Sequence, residues 1–325
     1  MPKTEPVTQL PPNLRNLAPE ELKSVTHGDF WIPEQEREFY KVALQALNDA
    51  GVPYVVAGAY AIYEHTGIYR KTKDLDVFCE PEAVVPAMQA LKGAGFRARL
   101  EQSHWLAKSL HGELFIDVIY GMGNGLALID PDWHRHSTPA ILAATPVRVA
   151  PPEELIWHRL FISERHRHDM ADIVHLILKL GHQMDWERLV AKTGRNWPLL
   201  LSQLQLFRYV YPGHTAQVPD EIVRGLLARA GRDLESPEPT GDDDLTRGTL
   251  ISRFSFAIDV NEWGFRDVRE ELIQRMRASA PIQAIAASDV WDERATYDHD
   301  SSVPRDQDAA EAAEAAEADA AEGER

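Results

Sequence analysis

The chain has 325 residues, 44% of them hydrophobic and 26% charged, with a single cysteine. That length suits about two domains with real cores, one cysteine excludes an internal disulfide, and no apolar run reaches the roughly 18–20 residues of a membrane span. Of the net charge of −17, the 13 acidic and 3 basic residues after position 288 supply −10, so the first 288 residues carry only −7 and lack the broadly basic surface that long double-stranded nucleic acid requires.

The stretch Met1–Asn13 is polar and Pro-bearing, without the apolar run of a signal sequence, so a cytoplasmic location is expected. Pro19-Glu-Glu-Leu and Pro33-Glu-Gln-Glu read as helix starts, with Pro and acids in the first turn. From Pro33 the apolar positions Phe39, Val42, Ala43, Leu44 and Leu47 continue to a stop at Gly51. Tyr54–Ala57 reads as a short buried strand and Gly58–His65 as a helix. Asp74–Phe78 alternates as a strand, Pro81–Gly93 follows as a helix, and Phe96–Leu100, His104–Leu110 and Leu114–Tyr120 are strands. The alternation runs to about Val149 and predicts an α/β (α+β) unit, a mixed sheet with flanking helices.

After Pro151-Pro152 the periodicity turns helical, over Glu153–Glu164, Asp169–Leu180, Asp185–Thr193, Pro198–Tyr209 and Asp220–Ala230. Ser236–Asp244 is a loop, and Leu245–Arg277 is ordered again because Phe254, Phe256, Trp263 and Phe265 need burial. The expected division is an N-terminal extension over 1–32, an α/β domain over 33–150, a mostly helical domain over 151–235, a linker over 236–244, a small module over 245–288 and an acidic disordered tail over 289–325.

Asp74 and Asp76 lie two apart on a strand, so both carboxylates leave one face. Like charges side by side repel, and a divalent cation removes that repulsion. Asp117, inside the apolar Ile116-Asp-Val-Ile, is an acid where a buried strand expects none, unless it is paired, hydrogen-bonded or bound to metal. If its strand adjoins that of Asp74, the three acids form one cluster suited to two-metal phosphoryl chemistry. Gly58-Ala59, between a strand and a helix, lets backbone N–H groups approach a phosphate. The ordinary alternative, in which all three acids are solvated or ion-paired, predicts that they do not converge.

Val56-Ala-Gly-Ala-Tyr-Ala-Ile, Arg70-Lys-Thr-Lys-Asp-Leu-Asp-Val and Phe115-Ile-Asp-Val together resemble the DNA polymerase beta superfamily of nucleotidyltransferases, and within it the bacterial abortive-infection toxin branch. The resemblance covers roughly residues 39–180. It implies metal-dependent transfer of a nucleoside monophosphate from a nucleoside triphosphate (NTP) to an acceptor, with Mg²⁺ or Mn²⁺ held by Asp74, Asp76 and Asp117 as the catalytic acids. It also implies nucleotide contacts from Gly58, Ala59, Arg70 and Thr72, and from Arg159 and Arg165 in a looser second motif that includes Asp169 and Asp172. Ala59 stands where the family has Gly or Ser and offers only a backbone N–H. Arg159 stands where the branch has Lys. These departures keep a second expectation open, a weak or inactive nucleotidyltransferase fold that binds without transferring. The acceptor is left open among a small molecule, an RNA end and a protein hydroxyl, and toxin-like activity rests on the family analogy alone.

Arg165–Asp169–Asp172 reads equally as an exposed ion-pair face on a helix. His158, His166, His168, His175 and His182 read as solvated helix-surface residues, not metal ligands. Gly121-Met-Gly-Asn-Gly is a turn after the Asp117 strand, beside the site. Cys79 is a small buried residue. The Arg and aromatic residues between Arg247 and Asp267 read as a packing module.

Overall fold

A computed structural model describes residues 32, 34–69, 72, 74–164, 168–235 and 244–295. The first element is helix α1 (Glu34–Asp49), whose Ala43, Leu44 and Leu47 are fully buried and which Gly51 ends in the left-handed region at φ 67°. Then come β1 (Val55–Val56), α2 (Gly58–Thr66), β2 (Leu75–Phe78), α3 (Pro81–Gly93) and β3 (Arg97–Gln102), followed by β4 (Leu106–His111) and β5 (Leu114–Ile119). Pro81 opens α3 with Glu82 in its first turn, as its sequence requires.

The short helix α4 (Pro131–Arg135) follows, capped by Asp130, whose side chain accepts from the Asp132 N–H. Its Trp133 is fully buried and stacks on Phe78 with ring centres 4.9 Å apart. A hairpin of β6 (Thr138–Leu142) and β7 (Thr145–Val149) comes next, turning on Ala143 and Ala144, which have φ 49° and 58°.

The helical part comprises α5 (Pro152–Arg159), α6 (Met170–Leu180), α7 (Trp186–Thr193), α8 (Trp197–Val210) and α9 (Asp220–Glu235). The helix expected over 153–164 stops at Arg159. Beyond it the chain turns at Leu160 and Phe161, and Ser163 N–H donates to the carbonyl of Ile251 at 2.9 Å, a distant partner that replaces the helical one. The last part holds β8 (Leu245–Thr246), α10 (Ala257–Asn261), β9 (Arg266–Asp267), α11 (Val268–Arg277), α12 (Ala280–Ala287) and β10 (Glu293–Arg294). Strands β8 and β9 form a separate parallel pair.

The main sheet is mixed, with strand order β10-β3-β4-β5-β2-β1-β7-β6. The central strands β2 and β5 are parallel, β4 is antiparallel to β5, and β1 is antiparallel to β2. The mixed α/β class expected from the alternation is what the chain adopts. One contiguous apolar core extends from Ile32 to Val290.

Residues 289–295, grouped by their charge with the acidic tail, lie instead along the sheet. Val290 is buried, β10 pairs parallel with β3, and Asp292 accepts from Ala98 N–H at 2.7 Å and from Lys92 Nζ at 2.8 Å. Hydrogen-bond partners on β3 and α3 give this acidic stretch what composition alone withholds. No helix among the described residues is long and apolar enough to cross a membrane.

Candidate active site

Register brings the acids together. Asp76 on β2 is directly opposite Asp117 on β5, and Asp117 is opposite Lys108 on β4. Opposed residues share a face of the sheet, so Asp76, Asp117 and Lys108 form a row across three strands. One carboxylate oxygen each from Asp74, Asp76 and Asp117 lies within 4.8 Å of the others. The acids converge, which removes the reading of three scattered surface groups.

Each acid has its own support. Thr72 Oγ1 donates to Asp74 Oδ1 at 2.7 Å, so the threonine expected to contact nucleotide also orients a carboxylate. Lys108 Nζ reaches Asp117 Oδ1 at 2.7 Å and lies 4.1 Å from the centre of the Phe115 ring. Asp117 is 8% exposed, and its pKa is pushed up to about 6. Burial is the largest cause, Lys108 pulls the other way, and the neighbouring Asp74 raises it further.

Gly58 is fixed by this cluster. It has φ +56°, and a Cβ built on it falls 1.8 Å from Asp76 Oδ2. No side chain fits between the β1–α2 turn and the carboxylate. The turn is tied to β2 through Ala57 N–H donating to Asp76 O at 3.0 Å, and Gly58 and Ala59 line the cavity at the start of α2.

Asp169 and Asp172, read with Arg165 as an exposed ion-pair face, are both buried, and the buried cation they meet is Arg159. Arg159 Nε lies 3.1 Å from Asp172 Oδ2 and 3.8 Å from Asp169 Oδ2, and its Nη2 donates to the Gly58 carbonyl at 3.5 Å. The arginine thus joins α5 and α6 to the turn beside Asp76. Arg70 and Arg165, with His166, lie outside the described residues. His158 is not a solvated surface histidine. Its ring packs edge-on against Phe78 at 5.5 Å and Trp133 at 6.3 Å, and it lines the cavity. His168 and His182 are exposed. Cys79 is buried with its thiol pushed up to about 12 by burial, so it is no nucleophile.

The cavity over the acids is about 750 Å³, within the range of small-molecule sites. The sheet supplies one side and the α5–α6 region a second. The third comes from Thr249, Leu250, Arg253 and Phe254, in the segment read as a packing module, and from Arg269 just beyond it. Hydrogen bonds hold that side in place. Asn124 Nδ2 donates to Leu250 O at 2.9 Å, Arg269 Nη2 donates to Gly123 O at 3.3 Å, and Glu164 accepts from Ser252 Oγ at 2.6 Å and Arg253 N–H at 2.8 Å. Lys108, Glu164 and Arg269 carried no motif, Asn124 was placed only in a turn beside the site, and Arg253 only in a packing cluster. A cation opposite Asp117 was the one inferable partner, since a buried carboxylate requires compensation.

The sequence matches no protein-family model and no curated protein. Solved structures do align with it. The antibiotic-resistance factor ANT(2'')-Ia is 14% identical, covers 63% of this chain and 99% of its own, and has a TM-score of 0.36. The lincosamide antibiotic adenylyltransferase LnuA, lincomycin-bound, is 17% identical over 45% of this chain and 96% of its own, with a TM-score of 0.33. An antigenic nucleotidyltransferase-like protein from Paracoccidioides brasiliensis is 16% identical over 54% and 94%, with a TM-score of 0.34. The chain is therefore similar to proteins described as nucleotidyltransferases or nucleotidyltransferase-like. At these scores the overlays carry no argument about its activity, and none of the three bears on the toxin-type detail.

Proposed function

We propose that the protein is a metal-dependent nucleotidyltransferase that moves a nucleoside monophosphate from an NTP to an acceptor hydroxyl. One observation carries the reading: three carboxylates with donor oxygens within 4.8 Å, in the floor of a cavity, at the motif positions Asp74, Asp76 and Asp117. An all-oxygen, all-carboxylate donor set fits a hard divalent cation such as Mg²⁺ or Mn²⁺. When bound by Asp74, Asp76 and Asp117, the ion supplies neutralisation of the polyphosphate and acidifies the attacking hydroxyl.

The chain's own groups divide the remaining work. Gly58 and Ala59 offer the start of α2 to the phosphates, where the glycine lets the backbone come close. Arg159 holds that turn from behind through the Gly58 carbonyl. Asp117, steadied by Lys108, faces the acceptor and takes the hydroxyl proton. The acceptor oxygen forms its bond to the α-phosphorus, the bond from that phosphorus to the oxygen of the β-phosphate breaks, and pyrophosphate leaves with the electron pair.

A second reading, a fold that binds nucleotide without transferring it, is favoured by Ala59 in place of a hydroxyl-bearing residue and by the engagement of Arg159 with Asp172. The test is calorimetry of ATP, GTP, CTP and UTP, each with and without Mg²⁺ or Mn²⁺, together with transfer of α-phosphate label. Wild type is expected to bind one NTP in a metal-dependent way that the double variant Asp74→Asn/Asp76→Asn loses while staying folded. Metal-independent binding that survives the double substitution would instead establish the non-transferring reading.

A further inference from the structure

The cavity has two chemically different ends on either side of β2. In the sheet order, β1 flanks β2 on one side and β5 on the other. The β1 side holds the Gly58 turn, the start of α2 and Arg159, which are the features suited to phosphate. The β5 side holds Asp117 and the loop that follows it, Met122 to Asn124, to which the C-terminal segment is bonded through Leu250 and Arg269. A second substrate lying next to Asp117 therefore meets the C-terminal segment and not the phosphate turn.

Apolar and cationic groups line that side. Along β2 and β5 the face passes from Asp76 to Phe78 and from Asp117 to Ile119, and Trp105, Met122, Leu250 and Phe254 continue it. Trp105 packs over Gly123, where a built Cβ would lie 3.2 Å from the indole. Arg253 and Arg269 both line the cavity there, and the Arg253 guanidinium sits 4.5 Å from the centre of the Phe254 ring. The carboxylates outside the Asp cluster are engaged by the protein itself. Glu164 accepts from Ser252 Oγ and from the backbone N–H of Arg253, while Asp169 and Asp172 face Arg159. A polycationic acceptor would therefore place its charges against two guanidiniums. An anionic group gains charge-assisted hydrogen bonds from either, since a guanidinium has five N–H donors to distribute.

We infer that this face is the acceptor subsite, and that it takes a small hydroxylated molecule with an apolar ring and an anionic group; the assignment to the acceptor rests on the transferase reading above. The C-terminal side is held in place by hydrogen bonds to the loop after β5 and to Glu164, and it bounds the cavity on that side. Thr249 to Phe254 and Arg269 are thereby specificity-determining residues supplied by a segment far from the acidic motif.

The test uses the full chain with Mg²⁺ and two probes of one body and opposite charge, the phenols 4-hydroxyphenylacetate and tyramine. Affinity is read by ligand-observed NMR, and label transfer is followed with a mixture of the four α-labelled NTPs. The acid is expected to bind about tenfold tighter than the amine, a difference of one charge-assisted hydrogen bond. Arg253→Gln and the milder Arg269→Lys are each expected to shrink that ratio severalfold. The ratio is the informative quantity, because damage to the fold lowers both affinities together. Equal or tighter binding of tyramine, binding of neither phenol, or a ratio unmoved by both substitutions would overturn the inference. Selective binding of the acid with no metal-dependent NTP binding would leave the anion-binding face standing and remove the transferase reading. Metal-dependent NTP binding with no preference between the phenols does the reverse.

Discussion

Two groups of acids in this molecule are built on opposite principles. Behind α5, Glu153 and Glu154 are buried at 5% and 0% exposure, and they meet cations from α7. Arg188 contacts both glutamates, Lys192 lies 3.5 Å from Glu154 and 2.7 Å from Asp130, and the Arg188 pKa is raised above its ordinary value despite burial, through Glu154 and Glu153. At the cavity floor, by contrast, Asp74, Asp76 and Asp117 are set against one another, and Lys108 pairs with Asp117. Acid facing base holds helices together, whereas acid facing acid disfavours the folded chain until a cation from solution arrives. The comparison separates a mixed-charge cluster from an all-acid one without reference to motif.

The largest effect should come from breaking the first group. Glu154→Gln leaves Arg188 and Lys192 buried with less compensation and should destabilise by about 3 kcal/mol or more. In metal-free buffer Asp76→Asn should leave the denaturation midpoint unchanged or raised, because it relieves repulsion. Denaturant unfolding of both variants checks the pair. A destabilisation by Asp76→Asn as large as that of Glu154→Gln would erase the distinction.

A smaller effect sharpens the comparison through pH. The folded pKa of Asp117 is raised from the ordinary 3.8 to about 6, with burial as the main cause. The folded state therefore holds this proton more tightly than the unfolded chain. The stabilisation is fully present below pH 3.8, and it is lost as pH rises through about 6. Without metal, wild type should lose on the order of 2 kcal/mol over that window relative to Asp117→Asn, which cannot titrate there. Parallel stability–pH curves for the two proteins would show that the buried carboxylate is compensated after all.

Gly58→Ala tests the turn itself. A left-handed φ for a non-glycine residue costs about 1–2 kcal/mol, and the new Cβ must displace the Asp76 carboxylate. Label transfer should fall more than tenfold while the fold persists, as measured by transfer rate and thermal melting of the same preparation. Unchanged transfer would detach the turn from the site.

Much of the acid-bearing half was legible, because each signal there is local. Asp74 and Asp76 are two apart on a strand, Asp117 breaks an apolar run, and Gly58 sits between a strand and a helix. The hairpin of β6 and β7 was not legible. Its two-residue turn is Ala143-Ala144 in place of the Asn-Gly or Asp-Gly that announces such turns, so the backbone adopts a conformation its residues do not advertise. Lys108 needed the pairing of β4 with β5 before its partner could be known. The C-terminal side of the cavity was hidden for a stronger reason. Arg269 reaches Gly123 and Leu250 reaches Asn124 across more than a hundred residues, and no periodicity in either segment encodes the other.

The pairing of β10 with β3 bears on when the protein becomes competent during its own synthesis. Ala98 and Asp292 meet across 194 positions, and contacts of such separation form late because a long loop must close first. A ribosome releases the acid-bearing strands early, so the floor can assemble while Leu250, Arg253 and Arg269 are still untranslated. A nascent chain at that stage would hold the motif with one side of its cavity missing. On the transferase reading, selectivity for the second substrate would be acquired only once Arg269 has been translated.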